Sequence, residues 1–349
     1  MRKSNFAPRP LARCAYWRLL SALAFLLSLA AVPAGGAEGV NWSSRALTLG
    51  RADVATGGYR VSRVLGVANF SPEFVMPLEA VYESASTRTG LLGYRWSCPQ
   101  LESRVIPGPK PERNSDAPET AVWRAPWGEE ITLIRKKDVA KGSPLAQIDA
   151  GALKHVSSAA FYAPYGDWEA TRAGTSWTVK GRADRPRAGW EFAYRDTRLE
   201  KATAPGGRSI AFAYENGRLA AVAQDGVAFV ELSYAKGALA GMKVNGVKVS
   251  LEIKEIPVVT LPETLGAKPA VTRRPALAAW AVGELAAETF SYNDSGWLCG
   301  MARDRATVAF KLHAETPARR QEALAARVAV EAAAAKAAAA RKAGAKNLG

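Results

Sequence analysis

Residues 212–246 read FAYENGRLAAVAQDGVAFVELSYAKGALAGMKVNG, and this stretch decides the fold. Tyr214 and Tyr234 stand twenty residues apart, and Tyr194 precedes them by another twenty. Gly206, Gly226 and Gly246 keep the same interval, as do Leu199, Leu219 and Leu239. A fixed period of this length marks one supersecondary unit copied in tandem, each copy burying its apolar face on the next. Turn chemistry divides every unit in two. Asn216-Gly217, Asp225-Gly226, Lys236-Gly237 and Asn245-Gly246 fall about ten residues apart and supply the positive φ that tight hairpins require.

The runs between these turns read as strands. From Val227 onward Ala228, Val230, Leu232 and Tyr234 alternate with Phe229, Glu231 and Ser233; Val247, Val249, Leu251 and Ile253 alternate with Lys248, Ser250 and Glu252. One face is core and the other is wet. An even period preserves side-chain parity, so Trp190, Phe192 and Tyr194 project to the same side as Ile210, Phe212 and Tyr214. The fold expected is all-β, an antiparallel meander that grows by one hairpin per repeat.

The segments Phe212–Leu219 and Leu232–Leu239, with a looser copy at Phe290–Leu298, resemble the tyrosine–aspartate (YD) repeat of the Rhs (rearrangement hotspot) family. The acid differs: where that family often has Asp after Tyr, this chain has Arg195, Glu215, Ala235 and Asn293. Upstream, residues 76–84 and 90–104 are similar to the segment that opens the repeat shell in such proteins. The resemblance implies a β-sheet scaffold in which Tyr194, Tyr214, Tyr234 and Tyr292, with Gly226 and Gly246, are architectural positions. Large members release a C-terminal toxin after an autocleavage motif containing Asp-Pro; no Asp-Pro occurs here. The expectation is a short relative without toxin activity.

Boundaries follow from composition. Arg2, Lys3, Arg9, Arg13 and Arg18 precede an apolar run from Leu19 to Val32, and Gly35-Gly36-Ala37 offers small residues for cleavage, so residues 1–37 read as a Sec-type export signal. Fourteen residues are few for a bilayer span, and no later segment is long and apolar enough, so no stable membrane span is expected after cleavage. Cys14 lies before the apolar run, which excludes a lipoprotein reading. The expected location is secreted or periplasmic. Of the formal charge of +15, five positive charges fall in the signal; residues 317–349 carry seven Lys/Arg against two Glu. The body between is only mildly basic, and export argues against nucleic acid as a partner.

Cys98 and Cys299 each follow a Trp by two residues, at Trp96 and Trp297. In an oxidising compartment such a pair can persist as a disulfide, which if formed would close a loop of about 200 residues and stabilise by ~4 to 5 kcal/mol. The alternative is two free thiols packed as small apolar side chains. Proline marks two interruptions, one at 107–119 that reads as a linker after an N-terminal β segment (38–106), and an insertion at about 254–284 within the repeat domain (120–315). Neither stretch suits a central strand. Thr316 and Pro317 then open an Ala-rich, basic helix or tail over 316–349, with a thin apolar stripe and little to bury.

Catalytic signatures are scarce. His155 and His313 lack metal-ligand spacing, no Gly-x-Ser-x-Gly elbow accompanies Ser157 or Ser158, and Gly206-Gly207 lacks P-loop spacing. Glu129 and Glu130 point to opposite faces of a strand. Asp167 and Glu169 share a face and, with Tyr162, Tyr165 and Trp168, form the cluster to inspect for a sugar site. Tryptophans in a tandem sheet either fill the core or, if several indoles lie coplanar on a wet surface, stack on glycans. The reading is therefore a non-enzymatic, exported structural or binding scaffold without metal or cofactor, which pairs through open strand edges with another β protein or itself. Carbohydrate binding is the alternative, and a glycoside hydrolase the third.

Overall fold

The computed structural model describes residues 51–52, 58–72, 74–109, 119–139, 156, 160–164, 166–261, 263–264, 266–304, 306–309, 321–322, 324–332 and 336. The export signal, Trp42, residues 110–118, both histidines, Tyr165 and most of the tail lie outside them.

The chain is mostly β. β1 (Arg51–Ala52), β2 (Tyr59–Ser71) and β3 (Phe74–Glu83) lead into three short strands, β4 (Thr89–Gly90), β5 (Gly93–Tyr94) and β6 (Trp96–Ser97). Next come β7 (Arg104–Pro107), β8 (Thr120–Arg124), β9 (Glu130–Arg135), β10 (Phe161–Tyr162), β11 (Trp168–Ala173), β12 (Ser176–Gly181), β13 (Glu191–Arg195) and β14 (Arg198–Thr203). The repeat region supplies β15 (Ser209–Glu215), β16 (Arg218–Gln224), β17 (Val227–Ala235), β18 (Ala238–Val244) and β19 (Val247–Thr260). After it come β20 (Ala270–Val282), β21 (Glu288–Tyr292), β22 (Leu298–Arg303) and β23 (Ala306–Ala309).

Strands β7 to β14 pair in sequence order and close into an eight-stranded ring through the pair Arg104↔Arg198 between β7 and β14. A ring of this size has an interior just wide enough for side chains to fill. Alternation sends Trp123, Trp168, Trp177, Val179 and Phe192 into it, all buried. Trp123 lies 4.9 Å from Trp168 and 5.6 Å from Phe192 between ring centroids, a packing that adds aromatic contact to area burial. Strands on both sides of the expected linker at 107–119 share this ring, with Pro107 ending β7 opposite Ala121.

From β14 the sheet continues as an antiparallel strip through β23. Its turns are those expected: Asn216-Gly217, Asp225-Gly226, Lys236-Gly237 and Asn245-Gly246 all have positive φ at both residues. β1, β2, β3 and β6 form a separate sheet that packs on the strip, through Phe70 of β2 on Phe229 (4.9 Å) and Trp96 of β6 on Phe290 (4.8 Å). Arg63 pairs with Glu288 at 2.9 Å and Asn245 donates to the Val67 carbonyl at 2.8 Å. Most buried side chains belong to one continuous core.

One expectation needs correction, and two points left open by the sequence take definite form. Phe229 does not share the wet face with Glu231 and Ser233: a bulge opposite Val222 and Ala223 makes it the extra residue on β17 and turns its ring onto Phe70. The proline-rich stretch within 254–284 is paired strand but, as its prolines require, not central strand: Pro257 faces Arg273 and Glu255 faces Pro275 in an extension of the β19–β20 hairpin. Proline is tolerated there because β18 pairs with β19 only as far as Ser250, so Pro257 needs no second partner. Cys98 and Cys299 are unbonded. Cys98 is buried beside Gln100, whereas Cys299 is the extra residue of the bulge at Ser291–Tyr292 and lies 3.8 Å from Ser291 Oγ.

A helix occupies 321–332 where described, and its first turn docks on the chain itself. Gln321 accepts from the Gly266 N–H at 2.9 Å and donates to the Ala267 carbonyl at 3.2 Å, both at the tip of the β19–β20 hairpin. Leu324 is buried, and the described residues from 325 to 332 are exposed. Among the described residues no helix is long and apolar enough to cross a membrane.

Candidate functional site

Each repeat tyrosine sits at a bulge and faces a leucine across its hairpin: Tyr194↔Leu199, Tyr214↔Leu219, Tyr234↔Leu239 and Tyr292↔Leu298. A bulge disrupts the ladder locally and leaves backbone groups to be satisfied by other means. The hydroxyls of the next hairpin serve that need. Tyr214 donates to the Leu199 carbonyl at 3.0 Å, Tyr234 to that of Leu219 at 2.9 Å, and Tyr292 to that of Leu277. Each donor lies fifteen residues beyond its acceptor.

The ends of this ladder are capped by other groups. The Trp123 indole donates to Tyr194 Oη at 2.6 Å, and Ser103, 2.8 Å from that hydroxyl, donates to the Arg124 carbonyl at 2.7 Å. The Tyr194 proton therefore points to Ser103, completing a buried relay. At the far end Leu298, which no later repeat covers, has its carbonyl bonded by Tyr59 and its N–H donating to Tyr82 at 3.0 Å, both from the β2–β3 hairpin. Burial pushes the Tyr214 hydroxyl up to about 12 and raises those of Tyr194, Tyr234 and Tyr292.

One rung is different. Ile253 faces Leu277 beside a bulge, the place a tyrosine holds in the other units, and offers Leu239 no hydroxyl. Next to this gap lies a cleft of about 590 Å³, lined on the strip side by Tyr214, Tyr234, Leu239 and Ile253. Its other wall is the segment from Thr89 to Arg104, which reaches the strip at both ends: β5 pairs with β20 through Gly93↔Ala276, and β7 with β14. Gly93 has a φ of 102°, and a Cβ there would meet the Pro275 carbonyl oxygen at 2.6 Å, so this close approach requires glycine.

Arginines recur around the cleft. The Arg198 guanidinium lies 5.7 Å from the centre of the Tyr214 ring, and Arg218 stands 5.5 Å over Tyr234, so each arginine rests on the tyrosine of the next hairpin. Arg104 enters from the opposite wall, and its buried Nε has no hydrogen-bond partner. Behind Arg104 a smaller cavity of about 80 Å³ holds Arg88 and Arg124, both bound to Glu130. Burial, then the charges of Arg104 and Arg88, lower the Arg124 pKa, which registers the density of positive charge. Glu102, also in the wall, accepts from the Leu91 and Cys98 N–H groups at 2.8 and 2.7 Å; burial nonetheless raises its pKa.

The acidic and aromatic cluster singled out from the sequence is spread over two faces. Trp168 points into the ring, while Asp167 and Glu169 flank it at half-buried positions, Glu169 3.5 Å from Lys180. Tyr162 is buried in a separate small cluster with Val156 and Ala160. The described tryptophans are buried or half-buried, and they form no solvent-facing row of indoles. Sequence reasoning missed Arg104, Arg198, Arg218 and Ile253. Two signals were present: Arg198 and Arg218 keep the period of twenty, and the tyrosine spacing breaks at Ile253. No family model matches the chain, and no curated protein matches it.

Proposed function

We propose that the protein is an exported, non-enzymatic scaffold of the YD/Rhs-repeat kind, with its signal at 1–37, that works at the cell envelope or outside the cell by joining its sheet to another β protein or to a second copy. The observation that carries this reading is β23. Ala306, Thr307, Val308 and Ala309 are all exposed and uncharged; one side of the strand pairs with β22, and the other has no partner among the described residues. Such an edge is a template for strand addition. The lack of catalysis is supported by the use already made of reactive groups: repeat hydroxyls are bonded to backbone carbonyls, and Trp168 separates the two candidate carboxylates from the aromatic core. Carbohydrate recognition by an aromatic sheet face draws no support from rings that pack inward.

Light scattering on the exported protein, with crosslinking and mass spectrometry, tests this. The expected result is a dimer or a defined partner crosslinked near residues 306–309, lost in Val308→Lys, which places a charge on the edge. A monomer without crosslinks, or an assembly indifferent to V308K, overturns it.

A further inference from the structure

We infer that the cleft beside Ile253 is a binding site for an extended acidic peptide segment of a partner protein, held by Arg104, Arg198 and Arg218. This goes beyond strand addition at β23, since none of these residues lies on that edge.

The inference begins with the arginines. Arg198 and Arg218 stand at matching positions of successive hairpins, two strands apart, which sets them about 10 Å from one another along the sheet. Each guanidinium lies over a tyrosine ring whose hydroxyl is bonded to the backbone beneath, so the stack is fixed at its base. A guanidinium held in this way presents a pre-oriented fork to a carboxylate. Arg104 faces them with its buried Nε unpaired. Arg104 contributes its charge to the opposite wall of the cleft. The acids on the lining, Glu102 and Asp196, do not cancel three arginines, and Glu102 is already engaged by two backbone N–H groups.

The remaining walls select among anions. Leu91, Leu101, Leu219, Leu239 and Ile253 give the cleft an aliphatic floor. Both tyrosines have a face covered by arginine, which leaves little for the ring stacking that sugars use. Acidic residues alternating with apolar ones on an extended chain put carboxylates on one face every ~6.6 Å and aliphatic groups between them, and the reach of the Glu side chains spans the difference from the ~10 Å between the arginines. The missing hydroxyl at Ile253 makes the room. A tyrosine there would reach toward the Leu239 carbonyl as its counterparts do, and would fill the inner end of the cleft.

The test uses the full exported chain and a fluorescein-labelled octapeptide of alternating Glu and Leu, followed by anisotropy at low and high salt. Binding is expected, weakened by salt and by exchange of Glu for Gln in the peptide. The double variant R198Q/R218Q, altered at two exposed positions, is expected to bind about tenfold more weakly or worse. Ile253→Tyr is expected to bind as poorly while its melting temperature is kept or raised. Arg195→Gln, exposed and outside the cleft, is expected to bind as the parent does. Equal affinity for the Gln peptide, unchanged binding by R198Q/R218Q, or tighter binding of oligogalacturonate than of the Glu/Leu peptide overturns the inference. If Ile253→Tyr does not fold, the arginine pair decides. The oligomer measurements on V308K are independent of all these outcomes, so either reading can fail alone.

Discussion

Tyr214→Phe removes one hydroxyl and leaves the ring. In the folded protein that hydroxyl donates to the Leu199 carbonyl at 3.0 Å, beside the bulge of the preceding hairpin. A net loss of about 1 kcal/mol is expected, the usual contribution of one neutral hydrogen bond. The same change at Tyr194 must cost more, about 2 kcal/mol, because it strands the fully buried Trp123 indole N–H and also takes a donor from Ser103, which keeps only its bond to the Arg124 carbonyl. At Tyr234, less buried than Tyr214, water can replace the lost donor and about 0.5 kcal/mol is expected. Urea titrations of the three variants with an unchanged m-value give the order Tyr194, Tyr214, Tyr234, and about 2 to 4 °C in melting temperature per kcal/mol for a body of this size. Equal losses, no losses, or the reverse order refute the view that these hydroxyls secure the repeats.

Three further outcomes follow from the same geometry. Thr197, at the place of Gly217 and Gly237 in later turns, has a φ of 70°, costly for a β-branched residue; Thr197→Gly is expected to stabilise by about 0.5 to 1 kcal/mol, read from the urea midpoint. Because Tyr214 titrates at about 12 when folded against 10.0 when free, its stabilisation is complete below pH 10 and is lost as pH rises through 12; urea midpoints at pH 8 and 11 should therefore differ less for Tyr214→Phe than for the parent. Burial raises the pKa of the Cys98 thiol, so a thiol reagent followed by mass spectrometry is expected to label half-buried Cys299 first and Cys98 only in denaturant, and reduction beforehand adds no label.

The strip was legible because its signals are local. Asn216-Gly217 and Asn245-Gly246 fix their turns through backbone preference alone, and an even period carries the parity of Phe212 and Tyr214 from hairpin to hairpin. The bulges were not legible. Each adds one residue to a strand, and nothing in Val222-Ala223 or in Leu277-Ala278-Ala279 announces it, yet the first turns Phe229 against the core and the second shifts β20 by one residue against β19 at Ile253. The ring was invisible for another reason: it is closed by Arg104 and Arg198, ninety-four positions apart, through one pair that no pattern of hydrophobicity encodes. The unbonded cysteines belong here too, since the bulge that displaces Cys299 decides what that side chain meets.

The cleft unites these legible and illegible parts. Its arginines follow the repeat and could be counted in the sequence, but their meaning depends on what stands opposite, and that is the segment from Thr89 to Arg104 pinned at both ends by long-range strand pairs. The interval from Tyr234 to Ile253 is nineteen residues rather than twenty, and Leu277 follows after the long hairpin extension instead of five residues later. The Ile253 unit therefore keeps the bulge and the leucine of its neighbours while losing the aromatic ring, and the hairpin before it lacks the arginine that would rest on that ring, Ala238 standing where Arg198 and Arg218 stand in the earlier hairpins. A rung that only held the sheet together would gain from tyrosine at 253, by a hydrogen bond and by filled volume. The unit that departs from the pattern is also the one that opens a space facing three cations, which is why stability and binding are expected to move in opposite directions when Ile253 is replaced.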